Sequence, residues 1–491
     1  MILASAAPEA AAGGGNPVIG LIGIIIALVV FLVLIYKGWS SYWVAPICAI
    51  IVAVFNLMTP SAVVNAYVGG MADLVLSLFF IIFFGAVLGK LYDVSGAAAS
   101  IAQTLTNKLV IKAKGDAQVR LGVLVILVVS ALLTMGGIDG YVLTFTLVPI
   151  CLVMSEMLDI PRKFIGGMMV LNCAFMAAPG APQIDNIMAQ AAIMSEAYKE
   201  GGAFLETAGA SHFAVTSFAA PIPGLVAVII IAAGGYFTLT QLIISAKKRG
   251  EHFEWGPVRR AERENRDLPN FIVSLIPIII VFIAYTLFPA ITNIQVEIAV
   301  ALGLGIIFAL ILFAKYLPAP RSGMPGGINN KIVAILNEGF GGAPSAFITL
   351  ITPSALAGVI TATGAFGMVI GILSGIHVHY IWLVVIVVCI LVGITSSPPA
   401  ALMIALPIAM NIMLGQGMSP DQVLGNADGL MRVGALAATT FETLPFNGLI
   451  ILTLQLIGCT HKEAYKPMLI QSVIYTLIGT VVAAALVMAG L

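Results

Sequence analysis

Apolar runs of about 20 residues, long enough for an α-helix to cross a bilayer's hydrocarbon core, recur along this chain with short polar breaks between them. The uninterrupted runs are 17–36, 41–57, 74–92, 220–246, 269–290, 293–314 and 467–490. Four more regions, 119–157, 163–182, 343–374 and 380–414, are apolar but interrupted by Gly, Pro, Ser or acid. A fifth, 427–456, carries Arg432, Glu442 and a Pro445-Phe446-Asn447-Gly448 break. The pattern predicts an all-α polytopic membrane protein. Composition agrees: only 9% of the 491 residues are charged, against roughly 25% in soluble domains.

Lysine and arginine orient the spans, because cytoplasmic loops carry the excess. The densest cluster is Lys247, Lys248, Arg249, Arg259, Arg260, Arg263 and Arg266. With that loop inside, both termini fall outside, as expected of a multi-pass protein of the bacterial inner membrane. Lys108, Lys112, Lys114 and Arg120 then precede 119–157 on the inner side, and Arg162 and Lys163 follow it there. A segment with both ends inside is a re-entrant hairpin, and its tip is the "TMGGIDG" stretch, 134–140. No Lys or Arg occurs from 332 to 431, so 380–414 is read as a second hairpin entering from outside, with its tip at "GITSSPP", 393–399.

The two hairpins resemble each other. Residues 125–150 align without gaps to the second hairpin when Pro149-Ile150 is set over Pro407-Ile408, and "GAVLGKLYDVSG" (85–96) matches "GAFGMVIGILSG" (364–375). Each half also has a span broken near proline, at "AAPGAPQIDN" (177–186) and "FETLPFNG" (441–448). The expected division is a repeat over 1–246 (hairpin 119–157, broken helix 163–186), a cytoplasmic linker at 247–268, and an inverted repeat over 269–491 (hairpin 380–414, broken helix 427–456). Each repeat would hold about 5–6 spans. Inverted repeats of this kind place a transporter's site near the midplane, where broken helices of both halves meet. Half-helix N-termini there favour anionic groups, through free N–H groups and the helix dipole.

The block "GAVLGKLYDVSGAAASIAQTL" (85–105) closely resembles a stretch of the gluconate:proton symporter (GntP) family, within the ion transporter superfamily, and the order of features agrees over nearly the whole chain. The site motifs diverge. Gluconate-type members carry Pro-His-Pro-Gly-Pro where this chain has "AAPGAP", a His-Val-Asn-Asp-like motif where it has "ETLPFNG", and an acid that aligns with Tyr141, two positions from Asp139. The resemblance implies a dimeric, elevator-like symporter of an organic anion. Loss of polar groups at three matching places points to a substrate less hydroxylated than gluconate.

The expected substrate-binding residues are Gly137, Asp139, Gly140, Asn172, Gln183, Asn186, Thr395, Ser396, Ser397, Thr443 and Asn447, all at or near the four breaks. Acids at membrane depth are functional by default, so Asp139, Asp185 and Glu442 are the expected proton or ion carriers; Asp139 also suits a helix N-cap. The expected activity is proton-coupled symport of a small monocarboxylate such as a hydroxy or sugar acid, with sodium as the alternative ion. Arg432 is read as snorkelling to the outer interface. No cofactor motif occurs, and zero net charge gives no footprint for nucleic acid. His377 and His379 lie in an expected outer loop with no third metal ligand nearby, and the five cysteines read as core residues. A channel would need a continuous polar pore, and an intramembrane serine enzyme would need a histidine in a span; neither pattern is present.

Overall fold

The computed structural model describes residues 15–37, 39, 41–110, 113–138, 140–256, 267–288, 296–317, 332–337, 351–352, 355–356, 358–368, 378–395, 398–445 and 447–491. Among the described residues the chain is helical, with no strand. The fold is that of an all-α polytopic membrane protein. Asp139, Ser396 and Ser397 lie outside the described residues, as does most of the interrupted region 343–374.

The apolar runs become helices with bounds near those expected. Pro17–Tyr36 packs along Ser41–Phe55, and both leave large apolar side chains such as Ile22, Val29, Ile50 and Val54 exposed, as a lipid-facing surface does. Pro221–Lys248 and His461–Met488 are long and apolar enough to span, and they pack against each other. Two helices run further than the apolar pattern indicates. The third starts at Pro60 rather than 74 and continues to Val94, its N-terminus capped by the Thr59 side chain. Asn65, the Gly69-Gly70 pair and Asp73 interrupt its apolar run without interrupting its backbone hydrogen bonds. The first broken helix continues from Ile184 to Ala197, beyond 186. Its Asp185, Asn186 and Glu196 lower the hydropathy, yet all three are buried on the face it presents to the core.

Each expected hairpin region holds a pair of consecutive helices. The first is Asp116–Met135 followed by Gly140–Leu158, and the second is Tyr380–Thr395 followed by Pro398–Gly415. The first hairpin's two ends lie together, beside the C-terminal end of Pro221–Lys248. Lys248 pairs with Asp116 at 3.6 Å, and Lys247 Nζ donates to Leu158 O at 2.5 Å. The start of the linker clasps the same end. Phe253 N–H donates to Asp159 at 2.9 Å, His252 Nδ1 lies 2.8 Å from the same carboxylate, and Lys163 pairs with Glu251. The Phe253 N–H and then His252 hold the Asp159 carboxyl below its ordinary range. The clasp therefore tethers the first residues of the linker.

Gly137 makes the first tip possible. Its φ of +81° is one that L side chains rarely adopt, and a Cβ there would lie 3.2 Å from Leu302 and Val281 and 3.3 Å from Pro182. Gly137→Ala should therefore destabilise the fold by about 1–2 kcal/mol from the backbone alone. Thermal unfolding in nanodiscs checks this, and an unchanged midpoint would contradict it.

Candidate functional site

Both broken helices stop in the core. The first runs as short α and 3-10 turns from Arg162 to Met176, opens over 177–183, and resumes as Ile184–Ala197. The second is Ala427–Glu442, open at 443–447, then Gly448–Ile457. A helix that stops leaves unpaired N–H groups at one end and unpaired C=O groups at the other, and lipid supplies no partner for them. The sequence must therefore bring its own.

It does so with several of the residues expected to bind substrate. Gln183 Nε2 donates to Thr134 O at 2.6 Å and to Ile138 O at 3.3 Å, tying the first break to the first hairpin tip. Asn186 Nδ2 donates to Ala178 O and Ala181 O at 2.8 and 2.9 Å. Asn447 caps the resumed second helix by accepting from Leu449 N–H at 2.8 Å. Thr443 Oγ1 lies 2.6 Å from Ser472 Oγ, and the Thr443 carbonyl accepts from Tyr465 at 3.0 Å. His461 Nε2 lies 2.7 Å from Pro445 O. These side chains hold the breaks in shape.

The four breaks touch one another in turn. Gln183 joins the first hairpin tip to the first break. A Cβ at Gly140 would lie 3.5 Å from Leu449 Cδ2, so the N-termini of Gly140–Leu158 and Gly448–Ile457 stand side by side. A Cβ at Gly393 would lie 3.7 Å from Phe441, which places the second hairpin tip at the second break. Ile184–Ala197 packs along Pro398–Gly415, and Asn411 Nδ2 donates to Glu196 Oε1 at 2.8 Å near their far ends. Asn411 and Glu196 stand 13 and 12 residues into their helices. At ~1.5 Å per residue the two helices therefore run parallel and begin level. Four helix N-termini, each equivalent to roughly half a positive charge, thus gather where the breaks meet.

Polar side chains line this region. Asn172 is 4% exposed. Its Oδ1 faces the Cys173 thiol at 3.8 Å, and its Nδ2 has no hydrogen-bond partner among the described residues. That Nδ2 would lie 3.5 Å from a Cβ at Gly140, so the amide points at the N-terminus of Gly140–Leu158. Asp185 and Glu442 are both buried, and the Cys173 thiol lies within electrostatic range of each. Thr395 ends the helix Tyr380–Thr395 at the second tip.

Arg432 corrects the sequence reading. It does not snorkel: it is 0% exposed. Its Nε donates to Ala219 O at 3.0 Å, Nη1 to Ala177 O at 2.5 Å and to Asn186 Oδ1 at 2.9 Å, and Nη2 to Ser217 O at 2.6 Å. The signal for this was available. The segment around it, "LMRVGALAATT", is small and apolar on every side, the mark of a helix buried all round. A charge on such a helix has to find partners inside.

The GntP family permease profile matches residues 19–194. The "Uncharacterized transporter YxjC" of Bacillus subtilis (strain 168) is 26% identical, covering 91% of this chain and 94% of that protein. The chain is thus similar to GntP family permeases over residues 19–194 and to this transporter over most of its length. The chain is a multi-pass membrane transporter. Among solved structures, the Alcanivorax borkumensis YdaH transporter aligns with a TM-score of 0.48 and 12% sequence identity over 86% of each chain.

Proposed function

We propose that this GntP-type transporter is a secondary symporter that carries a small organic monocarboxylate, such as a hydroxy or sugar acid, together with protons. The observation that carries this reading is the meeting of the Gly140–Leu158 and Gly448–Ile457 N-termini beside the buried Asn172 amide. Two positive helix ends and a side-chain N–H suit one carboxylate without a fixed cationic partner. Such a site can release its ligand more readily than an arginine clamp.

The acids then divide from the amides. Gln183, Asn186, Thr443 and Asn447 shape the breaks, while Gly140 and Asn172 face the anion. Thr395, Ser396 and Ser397 supply hydroxyls from the second hairpin. Asp139, Asp185 and Glu442 are the proton carriers, with Asp139 first because it immediately precedes the helix N-terminus at Gly140. The reciprocal packing of each hairpin on the other half's broken helix, 140–158 on 448–457 and 398–415 on 184–197, supports an inverted repeat. The family resemblance supports a dimer, and the lysine and arginine pattern supports an inner-membrane orientation with both termini outside.

Asp139→Asn tests the coupling role. The variant should lose accumulation driven by a pH gradient while keeping substrate exchange across a membrane with no gradient. Full accumulation by the variant would refute the role of Asp139, and accumulation that follows sodium instead would replace the proton as the coupled ion.

A further inference from the structure

Arg432 stands in the C-terminal half of the chain, and every hydrogen-bond acceptor it holds belongs to the N-terminal half. Four of the five guanidinium N–H donors are engaged: one from Nε, two from Nη1 and one from Nη2. Three of the acceptors are the backbone carbonyls of Ala177, Ser217 and Ala219, and the fourth is Asn186 Oδ1. Ser217 O also accepts from Gly180 N–H at 2.9 Å. Asn186 passes the connection on, because its two amide hydrogens go to Ala178 O and Ala181 O. Arg432 and Asn186 together therefore satisfy the carbonyls of residues 177, 178 and 181, all in one break.

In the other break, the Thr443 hydroxyl meets Ser472, the Thr443 carbonyl accepts from Tyr465 and His461 lies against Pro445 O, all within the C-terminal half. The first break is thus fixed across the two halves by a charged fork.

We propose that Arg432 is a positioning residue for transport: it sets the register of the 177–183 break, and with it the direction in which Asn172, Gln183 and the Ile184–Ala197 N-terminus face the transported anion. Asn186 is the lever. It is bonded to Arg432, and it lies in the first turn of Ile184–Ala197, next to Asp185. Releasing it lets that helix end turn about its axis. Lysine cannot substitute, because three donors on one nitrogen do not reproduce a planar fork reaching four acceptors.

The proposal rests on the carboxylate-symport reading, so wild-type uptake in the same proteoliposomes tests that reading separately. Arg432→Lys and Asn186→Ala are then compared with wild type by initial rates of carboxylate uptake over a range of concentrations. KM does not depend on how much protein folds, so misfolded material lowers only the maximal rate. The expected result is a KM raised about tenfold or more in each single variant, the scale of a misplaced binding group, with the maximal rate per folded transporter within about threefold of wild type. The double variant should add little, because residues in one hydrogen-bond network are not additive. A KM within twofold of wild type in either single variant, whatever its thermal stability, would make Arg432 a folding element only and overturn the proposal. Absence of saturable uptake in both single variants beside an active wild type would overturn it as well.

Discussion

Arg432→Leu should leave almost no folded transporter. The substitution removes the Arg432 donors to Ala177 O and Ala219 O, while Ser217 O keeps only the Gly180 N–H. Each buried acceptor left without a donor costs about 1–3 kcal/mol. Two together cost about 2–6 kcal/mol, a large share of the stability of an ordinary domain, about 5–15 kcal/mol. Asn186 loses its partner in the same step, which loosens its hold on Ala178 O and Ala181 O. Monodisperse yield by size-exclusion chromatography and the unfolding midpoint in nanodiscs check this. A leucine variant with wild-type yield and midpoint would mean that the guanidinium network contributes little.

The second large effect falls on transport and spares the fold. Gly140→Val should abolish carboxylate uptake while the unfolding midpoint stays near that of wild type. A Cβ at Gly140 meets Asn172 Nδ2 and Leu449 Cδ2 at 3.5 Å, an ordinary contact, so the helix itself accepts a side chain. The two methyl groups of valine then occupy the space between the Asn172 amide and the Gly448–Ile457 N-terminus, where the proposed carboxylate sits. Gly140→Ala should give a graded version, with KM raised and the maximal rate kept. Uptake by the valine variant with a normal KM would remove the anion from this position.

The parts of the fold legible in the sequence are those written as long apolar runs and as breaks inside them. Paired helices, Asp116–Met135 with Gly140–Leu158 and Tyr380–Thr395 with Pro398–Gly415, fall within the interrupted apolar regions 119–157 and 380–414, because a glycine- or serine-rich interruption within an apolar stretch leaves a membrane helix few other conformations. The breaks at 177–183 and 443–447 were legible for the same reason, through Pro179, Pro182 and Pro445. Polar residues inside continuous helices were harder. Asp185, Asn186 and Glu196 lower hydropathy as a loop would, yet they belong to a buried helix, since burial there is set by packing against Pro398–Gly415 and not by composition. Arg432 follows the same logic more strongly: its partners are backbone carbonyls more than 200 residues away in sequence, at Ala177, Ser217 and Ala219, which no local pattern encodes.

The expected site residues divide along a physical line. An amide beside a helix break either satisfies the break or faces the ligand, and sequence position does not separate the two. Gln183 and Asn186 give their amide hydrogens to carbonyls of the tip and the break, whereas Asn172 Nδ2 faces Gly140.

Uptake by the purified wild-type protein tests the central claim most directly. In proteoliposomes loaded at neutral pH and diluted into acidic, sodium-free buffer, a panel of radiolabelled hydroxy, keto and sugar acids is followed over time. The expected result is saturable accumulation of at least one small monocarboxylate above its equilibrium level, abolished when an ionophore collapses the proton gradient. No accumulation of any carboxylate under this gradient, or accumulation untouched by the ionophore, would contradict it.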